Sequence, residues 1–467
     1  MVRKHPRFFL TATLAALALR LLCVFRFPAV TSDSFVYGDI AKNWLQHGIY
    51  GLSGLNDVSP TCIRLPGYPA FLAAVFAIFG MEHYRAVLML QMLVDVGTCF
   101  VIADITRRLV SARAARAGFL LAAVCPFLAN YAAAALTETW EIFFTLLALN
   151  LAIAGLSEPE TSQIRVWLGC GLSIGAAILL RPDGGLLLAA IEFYVVLQLV
   201  RSLVKPTWAG APAPQVRNLF RAGLVLLVAG LAPLVPWTLR NLHTLHEIQP
   251  LAPRYADEEN AFVPTGFNRW VKTWMVDYAS VEEIYWAAPG GSIDADNLPL
   301  RAFDSAPQRD QTEQLLDDYN QSQHVTPQLD ARFAALAAER VGQSRSRYYV
   351  RLPLLRIADM WLRPRTEILP CNTRWWEFDE EPKWLWLSVA LGIVNLLYVG
   401  AALLGWIRGH FVSGFGLLLT FVLVRSAFLG TLENPEPRYT LECYPVLIVL
   451  AAALLQKSSQ NSADLGS

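Results

Sequence analysis

The residues of this chain best suited to chemistry are carboxylates and arginines set at the borders of apolar stretches: Asp33, Asp39 and Arg64 early, Glu138, Arg181 and Asp183 in the middle, then Arg240 and the segment Glu433 to Tyr439. A carboxylate at such a border can take the proton of a hydroxyl nucleophile, and an arginine can grip a phosphate through two parallel hydrogen bonds. Asp33 is the candidate base, and Arg64, Arg240 and Arg438 are the candidate phosphate partners. Each has a plainer reading as well. Asp33 would serve as the cap of a helix starting at Ser34. An arginine at a helix end often anchors to lipid headgroups, Glu138 suits the positive end of the helix it begins, and Asp183 suits an N-cap after the tight turn at Arg181 and Pro182.

The elements that must position these residues are membrane helices. Hydrophobic residues make up 55% of the 467 positions and charged residues 16%, with a mean hydropathy of +0.39, outside the balance of a soluble domain. The apolar runs approach the roughly 20 residues needed to cross a hydrocarbon core. Ten candidate spans follow: Phe8 to Phe25, Arg85 to Leu109, Ala115 to Ala133, Thr139 to Leu156, Val166 to Leu180, Gly184 to Val200, Leu219 to Trp237, Trp384 to Trp406, Phe411 to Leu429 and Tyr444 to Leu455. Arg20, Asp95 and Arg425 fall inside spans, where charge is expensive and normally paired, so a structural pairing among them is expected.

Basic residues in short loops stay on the cytoplasmic side. If Tyr68 to Gly80 does not cross, then Arg3, Lys4 and Arg7, the cluster Arg107, Arg108, Arg113 and Arg116, the loop from Arg201 to Arg221, Arg408 and Lys457 share one face. Both termini are then cytoplasmic, and the carboxylates and arginines named above gather on the opposite, outer face. Lys and Arg together number 38, as do Asp and Glu, so the chain offers nucleic acid no net attraction. Seven cysteines show no CxxC pair and no zinc-ligand spacing.

Three parts are expected: a membrane bundle over 1–240 carrying an outer loop at 28–66, an extracytoplasmic α-rich domain over 241–383, and C-terminal membrane helices over 384–467. Within the outer domain Thr326 and Pro327 start a helix whose inward face holds Leu329, Phe333 and Leu336. Residues 257–323 read as polar and aperiodic, hence partly irregular. Tyr349 to Trp361 is amphipathic and fits either packing onto the bundle or a lipid surface. Trp270, Trp274, Trp375 and Trp376 could stack on a sugar, but interfacial anchoring is the expectation.

In order along the chain stand Thr31-Ser-Asp-Ser-Phe-Val-Tyr37, Leu65-Pro-Gly-Tyr-Pro69, Leu136-Thr-Glu138, Leu180-Arg-Pro-Asp-Gly184, Pro236-Trp-Thr-Leu-Arg-Asn241 and Pro437-Arg-Tyr439. Their order and their placement at span ends resemble the GT-C glycosyltransferases of the protein-mannosyltransferase and aminoarabinose-transferase type. The resemblance implies an all-α polytopic fold and inverting transfer of a sugar from a polyprenyl-phosphate donor to a lipid, glycan or protein acceptor. It also implies a bacterial inner-membrane location, with Asp33 as the matching first-loop acid. Tyr37, Arg64, Tyr68, Glu138, Asp183, Arg240, Arg438 and Tyr439 are the expected substrate-binding residues. No cofactor is certain. A divalent metal on Asp33 and Glu138 stays open, because Ser34 stands where the mannosyltransferase pattern has a second acid. The alternative is a transporter or lipid flippase, which would favour internal repeats and polar groups at mid-membrane; the chain shows no repeat.

Overall fold

The structure is a computed structural model that describes residues 2–55, 57–157, 163–204, 213–255, 262–377, 381–409, 412 and 414–455. Lys457 and residues 205–212 and 256–261, which figured in the topology and loop expectations, lie outside the described residues. The chain divides into two units, one of residues 1–256, 398–422 and 441–467, the other of 257–397 and 423–440.

The first unit opens with α1 (Pro6–Arg26), α2 (Ser32–His47), the antiparallel strands β1 (Gly51–Ser53) and β2 (Val58–Pro60), and α3 (Gly67–Phe79). The helices α4 (Tyr84–Leu109), α5 (Ala112–Ala123), α6 (Pro126–Ala132), α7 (Glu138–Ser157) and α8 (Gln163–Leu180) follow. After these come α9 (Gly185–Val204), α10 (Ala213–Leu231) and α11 (Leu234–Thr244). Among the described residues seven helices are long and apolar enough to span a membrane, eight if the bent pair α5 and α6 counts as one span. The ten sequence-derived spans all meet helices, but Ile164–Leu180 and Phe415–Leu429 are shorter than a span. Seventeen residues rise only about 25 Å, less than the roughly 30 Å core. At 13 residues, α3 is shorter still, in keeping with a segment that does not cross.

Polar residues inside this unit answer backbone needs. Pro126 has no N–H for the carbonyl four residues earlier, so the chain bends by 53° between α5 and α6. The Arg20 guanidinium donates to the carbonyls of Ala122, at 3.0 Å, and Ala123 at this break. Its Nε meets Asp95 Oδ2 at 2.7 Å. Arg20 and Asp95 thus form the expected pair, and its task is to satisfy a broken helix.

The second unit holds α12 (Thr265–Lys272), the single turn α13 (Tyr278–Ser280), α14 (Ala306–Ser322), α15 (Pro327–Gln343) and α16 (Leu352–Leu362). The spans α17 (Pro382–Gly409) and α18 (Phe415–Leu429) run between the two units, and α19 (Tyr444–Ala452) returns to the first. The expected helix start at Thr326 is present, with its hydroxyl accepting from Leu329 N at 3.3 Å. Leu329, Phe333 and Leu336 are buried.

Two expectations are corrected here. Trp270 and Trp274 are fully buried in the core of this unit, with Trp270 against Phe333 at 5.1 Å between ring centroids. The spacing of Phe267, Trp270, Val271 and Trp274 places all four on one helical face toward α15. Within 257–323 the aperiodic reading fails over α14, whose Thr312, Leu315, Leu316 and Tyr319 are buried at helical spacing within an otherwise polar run, whereas residues 286–305 are the expected irregular chain of turns and short 3-10 pieces. Arg425 lies in this unit and donates from Nε to the Tyr439 carbonyl at 2.8 Å.

Asp330 ties α15 to α12, accepting from Gly266 N at 3.0 Å and Phe267 N at 2.9 Å. It caps from another helix the orphan N–H groups that begin α12. Replacing Asp330 with alanine leaves both donors buried, at a cost of about 2 kcal/mol. The fluorescence-detected unfolding midpoint, reported by the nearby Trp270 and Trp274, is expected to fall accordingly.

Candidate active site

The first loop folds back on itself through α2 and the hairpin. Thr31 precedes α2, and its backbone N–H donates to Ser34 Oγ at 3.0 Å in a capping box. The helix therefore begins at Ser32, two residues earlier than the capping reading of Asp33 required, and Asp33 lies in its first turn. Asp39 is structural. Its carboxylate accepts from Ser53 N and Ser53 Oγ, both at 2.7 Å, and fastens α2 to β1.

Arg64 donates from Nη2 to Asp33 Oδ1 at 2.9 Å, and a third of the Asp33 side chain stays open to solvent. Arg64 also lies over the Tyr37 ring at 5.5 Å, a favourable cation–π placement. Tyr37 meets Tyr68 edge to face at 5.1 Å. The Tyr68 hydroxyl donates to Gln91 Oε1 at 2.7 Å, and Gln91 Nε2 donates to the Ala134 carbonyl at 2.6 Å. Ala29 pairs with the same stretch, its N–H on Ala133 O and its carbonyl taking Ala135 N, both at 2.9 Å. One short non-helical segment, Ala133 to Leu136, thus sets both the start of the first loop and the start of α7.

Glu138 and Glu141 sit in the first turn of α7, both fully buried. Arg181 reaches Glu138 Oε1 at 3.4 Å, Glu141 Oε2 at 3.5 Å and Asp183 Oδ1 at 3.1 Å. Burial works against the guanidinium charge. Asp183, Glu141, Glu138 and Glu442 outweigh it and hold Arg181 well above its ordinary range. Asp183 lies inside the short 3-10 turn Pro182–Gly184, with Arg181 at the cap position. Its carboxylate thus serves Arg181, correcting the N-cap reading.

The two clusters are neighbours. Burial pushes the Tyr37 hydroxyl up to about 12, with Arg64 and Arg181 pulling it down and Asp33 and Glu138 pushing it further up. The motif glycines explain the closeness. A Cβ on Gly67 would lie 2.6 Å from Leu179 O, and one on Gly184 would lie 2.7 Å from the Ala177 carbonyl carbon. Only glycine lets α3 and the turn after α8 pack this tightly.

The remaining site residues stand elsewhere. Arg240 donates from Nη1 to Thr61 O at 2.8 Å and from Nη2 to Tyr50 O at 2.6 Å, and lies over the Tyr50 ring at 5.2 Å. It clamps the two ends of the hairpin. Arg438 and Tyr439 belong to the second unit, where Arg438 Nε lies 2.6 Å from Glu436 Oε2 and the Tyr439 hydroxyl donates to Glu436 Oε1 at 2.6 Å. Asp33 and Glu138 do not fit a shared resident metal, since each faces an arginine. Among the described residues no group of three or more His, Cys, Asp and Glu could hold an ion.

Sequence reasoning passed over Gln91, Glu141 and Glu442. Glu141 was findable, three residues after Glu138 and so on the same helix face. Gln91 and Glu442 carried only the weaker signal of a polar group within an apolar run.

Residues 60–213 match the family model described as dolichyl-phosphate-mannose-protein mannosyltransferase. No curated protein matches the sequence. Among solved structures, the Archaeoglobus fulgidus oligosaccharyltransferase tethered to an acceptor peptide aligns with a TM-score of 0.50 at 15% identity, covering 96% of this chain and 49% of that one. The chain thus spans about half the length of that enzyme. ArnT from Cupriavidus metallidurans bound to undecaprenyl phosphate aligns at 0.41 with 17% identity, covering 94% of this chain and 77% of that one. Residues 60–213 are thus similar in sequence to the protein-mannosyltransferase family, and the fold of the chain resembles that of the oligosaccharyltransferase.

Proposed function

We propose that this chain is a glycosyltransferase moving a sugar from a polyprenyl-phosphate-linked donor to a hydroxyl acceptor on the extracytoplasmic face of a bacterial inner membrane, with both termini cytoplasmic. The observation that carries the reading is Asp33, in the first turn of α2, oriented by Arg64 at 2.9 Å and still partly open. The match of residues 60–213 to a lipid-phosphate-sugar family model supports the donor class.

In this reading the acceptor oxygen bonds to the anomeric carbon from the face opposite the phosphate, and its proton passes to the Asp33 carboxylate. The bond from that carbon to the phosphate oxygen breaks. Its electron pair stays on the departing polyprenyl phosphate, so the anomeric configuration inverts. Arg64 orients Asp33 through Nη2, while its Nε makes no hydrogen bond among the described residues and would turn to the leaving phosphate. Tyr37, Tyr68, Glu138 and Asp183 complete the pocket in this reading. Arg240 holds the loop in place by its bonds to the Tyr50 and Thr61 carbonyls.

Replacing Arg64 with glutamine removes the guanidinium that orients Asp33 and faces the leaving phosphate in this reading, and kcat is expected to fall about tenfold or more. A kcat within about twofold of the original chain would contradict a role for Arg64 in the transfer.

The test of the function is transfer by the purified protein in lipid, from a panel of polyprenyl-phosphate sugars to hydroxyl acceptors, with the product anomer read by NMR. A glycosylated acceptor with inverted configuration is expected. Retained configuration would exclude the single displacement, and no transfer from any donor would overturn the function.

A further inference from the structure

In the second unit, α16 turns Leu352, Arg356 and Met360 inward, where Arg356 donates to the Met275 carbonyl at 2.9 Å and the Gly430 carbonyl at 3.2 Å. Its outer stripe runs the other way. Val350 is 57% exposed, Leu354 60%, Leu355 40% and Leu362 49%, and Tyr349 beside them is 66% exposed. A stripe of this kind on water would be a liability.

Arginines predominate around it, and the acid whose charge also reaches the Tyr348 hydroxyl, Glu433, is buried. Arg345 and Arg351 are exposed on the turns leading into α16, and neither forms an ion pair among the described residues. Arg269, exposed on α12 and also without an ion pair among them, is close enough for its charge to act on the Tyr348 hydroxyl. Arg347, by contrast, is neutralised by Asp304 at 2.8 Å. Tyr348 and Tyr349 pack edge to face at 4.8 Å between the arginines and the apolar stripe.

We propose that this surface, Arg269, Arg345, Arg351, Tyr348, Tyr349 and the outer stripe of α16, rests on the outer leaflet of the membrane and recognises anionic phospholipid headgroups. Three arginines without carboxylate partners complement lipid phosphates, the tyrosines suit the headgroup level, and Leu354, Leu355 and Leu362 enter the acyl boundary. The helix lies along the interface and does not span it. Eleven residues rise only about 16 Å.

The test places a photo-crosslinking benzophenone amino acid at Leu354 in the full chain, in lipid nanodiscs of neutral lipid with and without phosphatidylglycerol. The same group at the exposed Asp317 serves as an aqueous control. Phospholipid adducts are expected at position 354 and not at 317, with phosphatidylglycerol enriched severalfold over its share of the bilayer. The combined Arg269→Gln, Arg345→Gln and Arg351→Gln variant is expected to abolish that enrichment. An adduct from position 354 to the protein itself would show a covered packing face and overturn the proposal. So would the absence of lipid adducts. Lipid adducts with no preference for anionic lipid would overturn the headgroup recognition.

Discussion

Asp33→Asn is expected to lower kcat by about 10²- to 10⁴-fold with the protein still folded. Asparagine keeps the shape of the side chain and an oxygen for Arg64 Nη2, which now sits 2.9 Å from Asp33 Oδ1. It cannot accept the acceptor's proton. Folding is spared because α2 is capped by Thr31 and Ser34, so the substitution removes no cap. The hairpin is spared too, since Asp39 and Arg240 hold it. Matched unfolding midpoints with lost turnover would separate catalysis from structure. Turnover within a few-fold of the original chain would remove Asp33 from the base role.

Arg181→Met is expected to have the largest effect on stability, about 3–5 kcal/mol. Arg181 is the cation that Glu138, Glu141 and Asp183 share, at 3.4, 3.5 and 3.1 Å. Glu138 and Glu141 are fully buried, so methionine fills the space and leaves carboxylates in a poorly solvated site without the charge that balances them. Such groups must either take up protons or pull the helix start apart. Arg181→Lys keeps the charge but offers a single point in place of a planar fork, so an intermediate loss is expected. Thermal unfolding in lipid would measure both. A methionine variant as stable as the original would mean that another cation balances the carboxylates.

The membrane bundle was legible in the sequence because a hydrocarbon core demands long apolar runs, and every expected span coincides with a helix. The count was not, since hydropathy does not show where a helix stops. Ile164–Leu180 and Phe415–Leu429 are apolar yet short, and Pro126 breaks one span into two helices at 53°. The Asp33 neighbourhood was legible in part, since the motifs around Asp33, Arg64, Tyr68, Glu138 and Asp183 supply residues that meet in the first unit. What the sequence hid was the division of labour. Arg64 and Arg240 look alike at that stage, but one sits on a carboxylate and the other on the carbonyls of Tyr50 and Thr61, a difference made by contacts 179 and more residues apart. The cap was misread by two positions, because Thr31 and Asp33 are both good N-cap types and only the Ser34 hydroxyl decides between them. Trp270 and Trp274 were misplaced for the opposite reason. Tryptophan is favoured both at a membrane interface and in a core, and the burial of α12 against α15 depends on a partner 60 residues away that composition does not reveal.

The most direct test of the whole account is the fate of a donor labelled separately in its sugar and in its prenyl phosphate, given to the protein reconstituted in sealed vesicles with a hydroxyl acceptor. The account predicts that the two labels part, the sugar joining the acceptor and the prenyl phosphate remaining in the bilayer, and that Asp33→Asn stops the separation. Intact donor carried across the bilayer with both labels together, unaffected by Asp33→Asn, would contradict it and identify a lipid transporter.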